Sequence, residues 1–174
     1  MQAKKTEQSI LQTVAKYRTK FAQMSEADFV KQPPIGGWCY SEVYLHIFDA
    51  SLLSFRSIAY CLSGKAKEKP THFSVKLMLW YGAFPPRKRY KVPKSLAERV
   101  KKISKVEAET LMNAMEKKLS LTAGKVQLAD RNKKIKHPRL GYLNAQQWFR
   151  FIEIHLKHHL KQLTRIEKSF KQRI

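Results

Sequence analysis

The sequence predicts an all-α protein, a four-helix bundle with an extra short helix or lid between helices two and three. Four long stretches repeat apolar residues at spacings of three and four, which is the period of an amphipathic helix. The connections between them contain proline and glycine and show no such period. A length of 174 residues favours one domain with its own core, and we expect it to comprise residues 1–174.

The first two helices are predicted on either side of a break at residues 32–37 (QPPIGG), where proline removes a backbone donor and glycine is conformationally loose. The first is predicted over residues 3–24. The second is predicted from Ser41, a candidate N-cap, to Ser63 and Gly64. It is apolar on several sides, so much of its circumference is expected to be buried. The stripe of the first helix comprises Ile10, Val14, Tyr17, Phe21 and Met24.

The other two helices are predicted over residues 96–118 and from Asn144, a candidate N-cap, to about Gln172. Between helices two and three, residues 73–84 (FSVKLMLWYGAF) are densely apolar and predict the short helix or lid. Residues 119–143 show no helical period and no convincing pair of strands, so we expect an irregular connection there.

Two histidines of the fourth helix, His155 and His159, carry the most specific chemical signal. At about 100° per residue they lie only about 40° apart, on the apolar side of the helix. Two imidazoles one turn apart can bind one divalent ion, which then needs a third protein ligand. The best candidate is His46, on an apolar face of helix two, whereas His72 and His137 lie in connections and are weaker candidates. The alternative is a set of hydrogen-bonded core histidines without an ion. The glutamate of H-E-x-x-H is absent, which argues against peptide hydrolysis.

These residues resemble the DinB-like (DinB/YfiT) superfamily of metalloenzymes. Residues 137–166 are similar to its C-terminal signature, and Trp38, Glu42 and His46 match its earlier Trp-x-x-x-Glu-x-x-x-His element. The resemblance covers roughly residues 38–166 and implies a four-helix bundle. It places the metal-binding triad on His46, His155 and His159.

The resemblance also implies a chemistry, namely a nickel or zinc ion and either thiol-dependent group transfer or metal-assisted hydrolysis. The implied partners are a small-molecule substrate, for example a low-molecular-weight thiol, and a second copy of the chain in a homodimer. Gln162, one turn beyond His159, is expected to support the ligands, unless it is only the polar edge of the helix. Trp80, Tyr81 and Trp148 are expected to shape the cavity, the alternative being plain core. Glu42 is expected to act as a charge at a helix start rather than in the site.

The net charge of +22 favours a second class of function, a basic nucleic-acid or anion-binding helical module without catalysis. Its candidate residues lie in two connections that carry clustered positive charge. Against it, no known nucleic-acid-reading motif is present, and positive residues are spread over all four helices. The candidates are Arg87, Lys88, Arg89, Lys133 and Lys134.

The sequence also predicts a cytoplasmic protein with no membrane contact. No apolar run approaches the ~18–20 residues that span a bilayer. The N-terminus does not have the layout of a signal peptide, and the two cysteines, Cys39 and Cys61, are too few for a disulfide framework.

Overall fold

The computed structural model describes residues 2–64, 66–85 and 99–172, in which four long helices form a bundle. The first two long helices in chain order each pack against the last two. The predicted four-helix bundle is therefore confirmed. In chain order the elements are α1 (Gln2–Ala22), α2 (Glu26–Val30), α3 (Tyr40–Leu62), β1 (Lys67–Glu68), α4 (Phe73–Tyr81), α5 (Lys105–Val126), β2 (Lys133–His137), β3 (Gly141–Asn144) and α6 (Ala145–Lys171).

An aromatic cluster joins α1, α3 and α6 at the centre of the core. The rings of Tyr17 and Tyr44 meet edge to face with centroids 5.5 Å apart, and Phe48 packs on Tyr17 at 5.4 Å. Both hydroxyls find buried acceptors, since Tyr17 donates to the Leu156 carbonyl and Tyr44 donates to the Tyr17 carbonyl, each at 2.8 Å. Because both hydroxyls are satisfied, the rings pack in defined positions, and their hydrogen bonds tie α1 to both α3 and α6.

Helix α3 begins two residues before the sequence prediction, at a capping box centred on Cys39. The Cys39 N–H donates to the Glu42 carboxylate at 2.9 Å, so Glu42 serves the helix start, as expected, and is not a metal ligand. Four residues further on, the same helix presents His46 to the core.

The predicted bounds of the third long helix are wrong. Residues 99–104 are not helical, and α5 begins only at Lys105, after a capping box in which the Ser104 side chain accepts from the Glu107 N–H. The helix then continues through Gly124 to Val126. The predicted stripe started too early, because a capping box that satisfies orphan N–H groups decides a helix start more strongly than apolar spacing does.

Strands β2 and β3 follow α5, where an irregular connection was predicted. Together with β1, from the α3–α4 connection, they form a small antiparallel sheet of three strands. Strand β2 pairs with β3, placing His137 opposite Gly141, and with β1, placing Lys134 opposite Lys67. The sequence KKIKH of β2 has a single apolar side chain, Ile135, so it lacks the alternation that marks a strand. The pairing depends instead on the partner strand and on a turn that Gly141 permits with φ of 73°.

The predicted short helix between helices two and three is confirmed as α4. Its C-terminus is anchored to α6, because Arg150 donates to the Leu79 carbonyl at 3.0 Å. Gly82 ends the helix with φ of 82°, and a Cβ at this position would lie 2.4 Å from the Arg150 guanidinium. Glycine is favoured here because it adopts the left-handed conformation without strain, and a side chain would also require the Arg150 guanidinium to move.

Helix α6 starts and ends where the sequence predicts. The Asn144 side chain accepts from the Gln147 N–H at 2.9 Å, and Gln172 is the C-cap. No helix in the described part of the chain is both long enough and apolar enough to cross a bilayer.

Candidate metal centre

Three histidines from two helices meet inside the bundle. One ring nitrogen each from His46, His155 and His159 lies within 4.8 Å of the other two. The Nε2 atoms of His155 and His159 are 3.0 Å apart, and the His46 ring lies 4.8 Å from that of His159 between centroids. His46 and His159 are buried, whereas His155 is partly accessible. The α3–α6 packing thus brings together the three residues that the sequence singled out.

Gln162 fixes the proton position on one member of the cluster. Its Oε1 accepts a hydrogen bond from Nδ1 of His159 at 2.8 Å. Because an amide oxygen can only accept, the ring carries its proton on Nδ1 and keeps a lone pair on Nε2, the atom that faces His155. A hydrogen bond of this kind is how proteins orient metal-binding imidazoles.

The environment keeps all three rings neutral. Burial lowers the pKa of His46 to about 4. Burial also lowers the pKa of His155 and His159 well below the usual range, and repulsion within the cluster lowers it further. Neutral imidazole is the form that binds a metal ion, so at neutral pH the cluster needs to lose no proton to accept one.

Trp38 covers one side of the cluster. Its ring lies 5.0 Å from the His46 ring and stacks over His159 at 6.4 Å between centroids. The sequence identified Trp38 only as part of a motif. Its spacing of eight residues from His46 did not reveal the contact, since the backbone turns at the start of α3.

A cavity of about 490 Å³ adjoins the histidines. Its walls combine apolar side chains from α3 and α6 with the turn between β2 and β3 and with Phe84, which follows α4. The sequence did not indicate Phe84, Arg56 or His158, because each lies at the cavity only through tertiary packing. Besides the three histidines, the residues that line the cavity include Arg56, Phe84, Lys136, His137, Arg139, Trp148, Phe151 and His158.

Of the three aromatic residues that were predicted to shape the cavity, one lines it and two lie on the surface. Trp148 is 4% exposed and lines the cavity, as expected. Trp80 and Tyr81 do not line it, since they lie on the outer face of α4 and are 77% and 74% exposed. Their assignment to the cavity is therefore wrong. Residues 73–81 form a helix with a buried side at Met78 and Leu79, and this turns the adjacent aromatic residues outward.

The predicted anion-binding residues are only partly within the described structure. Arg87, Lys88 and Arg89 lie outside the described residues. Lys133 forms an ion pair with Glu68 at 2.8 Å, and Lys134 is half-buried in the middle strand of the sheet. Nucleic-acid binding by these residues stays a prediction.

His137 is not in the cluster, although it lines the same cavity. Its Nδ1 accepts from the N–H groups of Arg139 and Leu140, each at 3.1 Å. Its ring packs on Phe151 and Trp148, with centroids 4.6 and 5.0 Å apart. Burial, with a smaller effect of the Arg139 charge, lowers the pKa of His137 to about 4. The structure therefore gives it a separate place from the three clustered rings.

The sequence profile of the DinB superfamily matches residues 10–163 of this chain. This covers the long helices that build the histidine cluster and confirms the resemblance seen in the sequence. No curated protein matches the chain.

Solved structures show the same fold at low sequence identity. YfiT from Bacillus subtilis, described as a probable metal-dependent hydrolase with an unusual four-helix bundle topology, is 13% identical with a TM-score of 0.65, covering 97% of this chain and 87% of its own. A four-helix bundle protein is 17% identical with a TM-score of 0.55, covering 93% and 95%. A mycothiol-dependent maleylpyruvate isomerase is 10% identical with a TM-score of 0.57, covering 91% of this chain and 59% of that one. At these identities the likeness is one of fold.

Proposed function

The chain belongs to the DinB superfamily, and on that premise we propose that it is a metal-dependent enzyme whose ion, nickel or zinc, is held by His46, His155 and His159. The observation that carries the proposal is the convergence of three neutral imidazoles beside a cavity large enough for a small molecule. The names of two structural neighbours, one metal-dependent and one thiol-dependent, agree with it.

The donor set fits such an ion. Three imidazoles suit zinc or nickel, and a site with three protein ligands leaves room for a water or substrate. When bound, a divalent ion supplies Lewis acidity, which lowers the pKa of a thiol or water and makes it nucleophilic at neutral pH. The structure favours neither of the two ions over the other, since both accept neutral imidazole.

The chain's own residues hold and shield this site. Gln162 keeps the His159 proton on Nδ1, so that the Nε2 lone pair stays directed into the cluster. Trp38 covers His46 and His159 on one side. On the other side Phe151 stacks on His155 at 5.1 Å, which limits the access of bulk water. A shielded site of this kind strengthens the electrostatic interactions inside it.

Among the two reaction classes, we favour thiol-dependent group transfer. No carboxylate lies among the described residues that line the cavity, so a strong general base for activating water is absent from that wall. A thiol, with a free pKa of about 8.5, needs less assistance than water, whose pKa is about 15.7. Metal-assisted hydrolysis is the alternative, and it would need His158, which also lines the cavity, to accept the proton.

The experiment has two parts. Isothermal titration of metal-free, untagged protein with zinc or nickel is expected to give one ion per chain in the wild type and in the control His72→Ala, which removes an exposed histidine. His155→Ala is expected to abolish that binding. The metal-loaded protein is then expected to accelerate the reaction of glutathione or cysteine with monochlorobimane. Equal metal binding by wild type and His155→Ala would contradict the site, and activity on esters without any thiol would favour hydrolysis.

A further inference from the structure

The cavity wall formed by the turn between β2 and β3 differs in charge from the rest of the site. Lys136 and Arg139 line the cavity from this turn, and Arg56 lines it from α3. No acidic side chain lies among the described residues of the lining. Asp49, one turn beyond His46 on α3, is bound by both guanidinium donors of Arg99 at 2.8 and 2.9 Å. Among the described residues, the lining of the cavity therefore carries positive and no negative side chains.

The same wall holds a hydrogen-bond donor with a fixed orientation. Because Nδ1 of His137 accepts two backbone N–H groups, it has no proton, and the neutral ring carries its proton on Nε2. The ring is wedged against Trp148 and Phe151, so the donor cannot rotate away. A neutral imidazole held in this tautomer can donate to an oxygen without the cost of burying a second charge.

The neighbouring wall is apolar and contains a second donor without a partner. Trp148, Phe151 and Phe84 give the cavity aromatic surfaces. The indole N–H of Trp148 is buried, and it has no acceptor among the described residues. A buried donor without an acceptor costs about 1–3 kcal/mol, so it is uncommon in a site that has no ligand to satisfy it.

We propose that the end of β2 and the turn that follows it (residues 136–140) form a carboxylate-binding subsite, with Lys136, His137 and Arg139 as its donors. The substrate is then a carboxylate with an apolar, ring-sized body. The carboxylate lies against the turn and the body lies on Trp148 and Phe151. The reacting end of the molecule then points to the histidine cluster, since both walls belong to one cavity. This deepens the proposed function and uses the same cavity, but its test needs no metal.

The test measures affinity in metal-free protein with a matched pair of probes, 2-naphthoate and its neutral analogue 2-naphthamide, by isothermal titration. We expect the carboxylate to bind at least tenfold more tightly than the amide. Arg139→Gln and Lys136→Gln are each expected to weaken naphthoate binding severalfold while leaving naphthamide binding unchanged. His137→Phe keeps the aromatic packing but removes the donor, and it is expected to weaken naphthoate binding in the same selective way.

The control Lys118→Gln removes one exposed positive charge from α5, away from the cavity, and is expected to change nothing. Equal affinity for the two probes would overturn the proposal, as would an equal loss in Lys118→Gln and Arg139→Gln, which would indicate only the general charge of the protein. A protein that binds no metal but prefers naphthoate would refute the proposed function and still support the subsite. A protein that binds metal but does not prefer naphthoate would support the proposed function and refute the subsite.

Discussion

Helix α6 contributes to two polar clusters within residues 150–162, and their buried groups are satisfied in opposite ways. Glu153, 2% exposed, forms ion pairs with Arg150 and with Lys157, the latter at 2.6 Å. Burial raises the pKa of Glu153, but the hydrogen bonds from Lys157 and Ser9 and the nearby charge of Arg150 outweigh it, so the pKa lies below the usual value. The one buried carboxylate of this cluster therefore has both of its oxygens paired within the chain.

The histidine cluster has no such internal balance. Nδ1 of His159 donates a hydrogen bond to Gln162. Among the described residues, the three ring nitrogens that converge have only one another as polar partners. Two Nε2 atoms at 3.0 Å can share one proton, and the third ring brings a further nitrogen to the same point. The Glu153 cluster is closed, since its carboxylate is paired within the chain, whereas neutral imidazoles that converge beside a cavity are the arrangement that the proposed metal site requires.

The largest expected effect is a loss of metal affinity, and it distinguishes the histidine cluster from the Glu153 cluster. His155→Ala removes one of three ligands and is expected to weaken zinc or nickel binding by at least about 1,000-fold, more than the ~10–100-fold typical of residues that only support ligands. Isothermal titration measures it. The free energy of unfolding of the metal-free variant is expected to be close to that of the wild type. A large loss of stability with metal binding intact would reverse the roles of the two clusters.

The second effect concerns the closed cluster. Glu153→Gln keeps the shape but leaves Arg150 and Lys157 without their carboxylate, and it is expected to lower the free energy of unfolding by about 3 kcal/mol. Urea denaturation of the metal-free protein measures the change. Metal stoichiometry is expected to stay at one ion per chain. Loss of metal binding in a folded Glu153→Gln variant would show that the clusters are not independent.

The third effect tests the hydrogen bond that supports the histidines. Gln162→Ala frees the Nδ1 proton of His159 and is expected to weaken metal binding by about 10–100-fold without abolishing it. Gln162→Glu, which also accepts from Nδ1, is expected to restore most of the affinity. If alanine and glutamate behave alike, Gln162 belongs only to the polar edge of the helix.

The sequence could predict the parts of this contrast that depend on residues close together in the chain, but not the parts that depend on contacts between distant segments. The spacing of His155 and His159 is local to one helix, so the sequence indicated their shared face, and Asn144 marked the helix start. Trp38 over the cluster could not be predicted from local pattern, because the contact depends on how the backbone enters α3.

Two corrections have similar causes. Trp80 lies in the most apolar segment of the chain but outside the cavity, since composition does not reveal which face of α4 is covered. Strand β2 could not be predicted from its sequence, because its lysines break the alternation of apolar and polar residues. Its pairing with β3 defines the strand instead.

The fourth effect is the part of the pH dependence of stability that His137 contributes, in addition to that of the cluster. The folded-state pKa of about 4 lies below the ordinary 6.5, so the unfolded chain takes up the proton first as the pH falls. The stability that neutral His137 provides is complete above pH ~6.5 and is lost toward pH ~4. Between pH 7.5 and 5.5 this amounts to at most about 1.3 kcal/mol. Denaturation of metal-free His137→Phe is expected to show a correspondingly shallower pH dependence, and an unchanged slope would contradict the assignment.

The smallest effect is expected outside the site. Trp80→Ser and Tyr81→Ser remove exposed rings, so each is expected to change the free energy of unfolding by no more than about 0.5 kcal/mol. Metal and naphthoate affinities are expected to match the wild type. A tenfold loss of either affinity would indicate that these residues do contribute to the cavity wall.

The central claim is that three histidines from two helices hold one ion, and X-ray absorption spectroscopy of the zinc-loaded protein tests it most directly. We predict nitrogen and oxygen ligands without sulfur, with the imidazole scattering of three histidines in the wild type and of two in His46→Ala. A zinc–sulfur contribution from Cys39 or Cys61, or a spectrum that His46→Ala leaves unchanged, would contradict it.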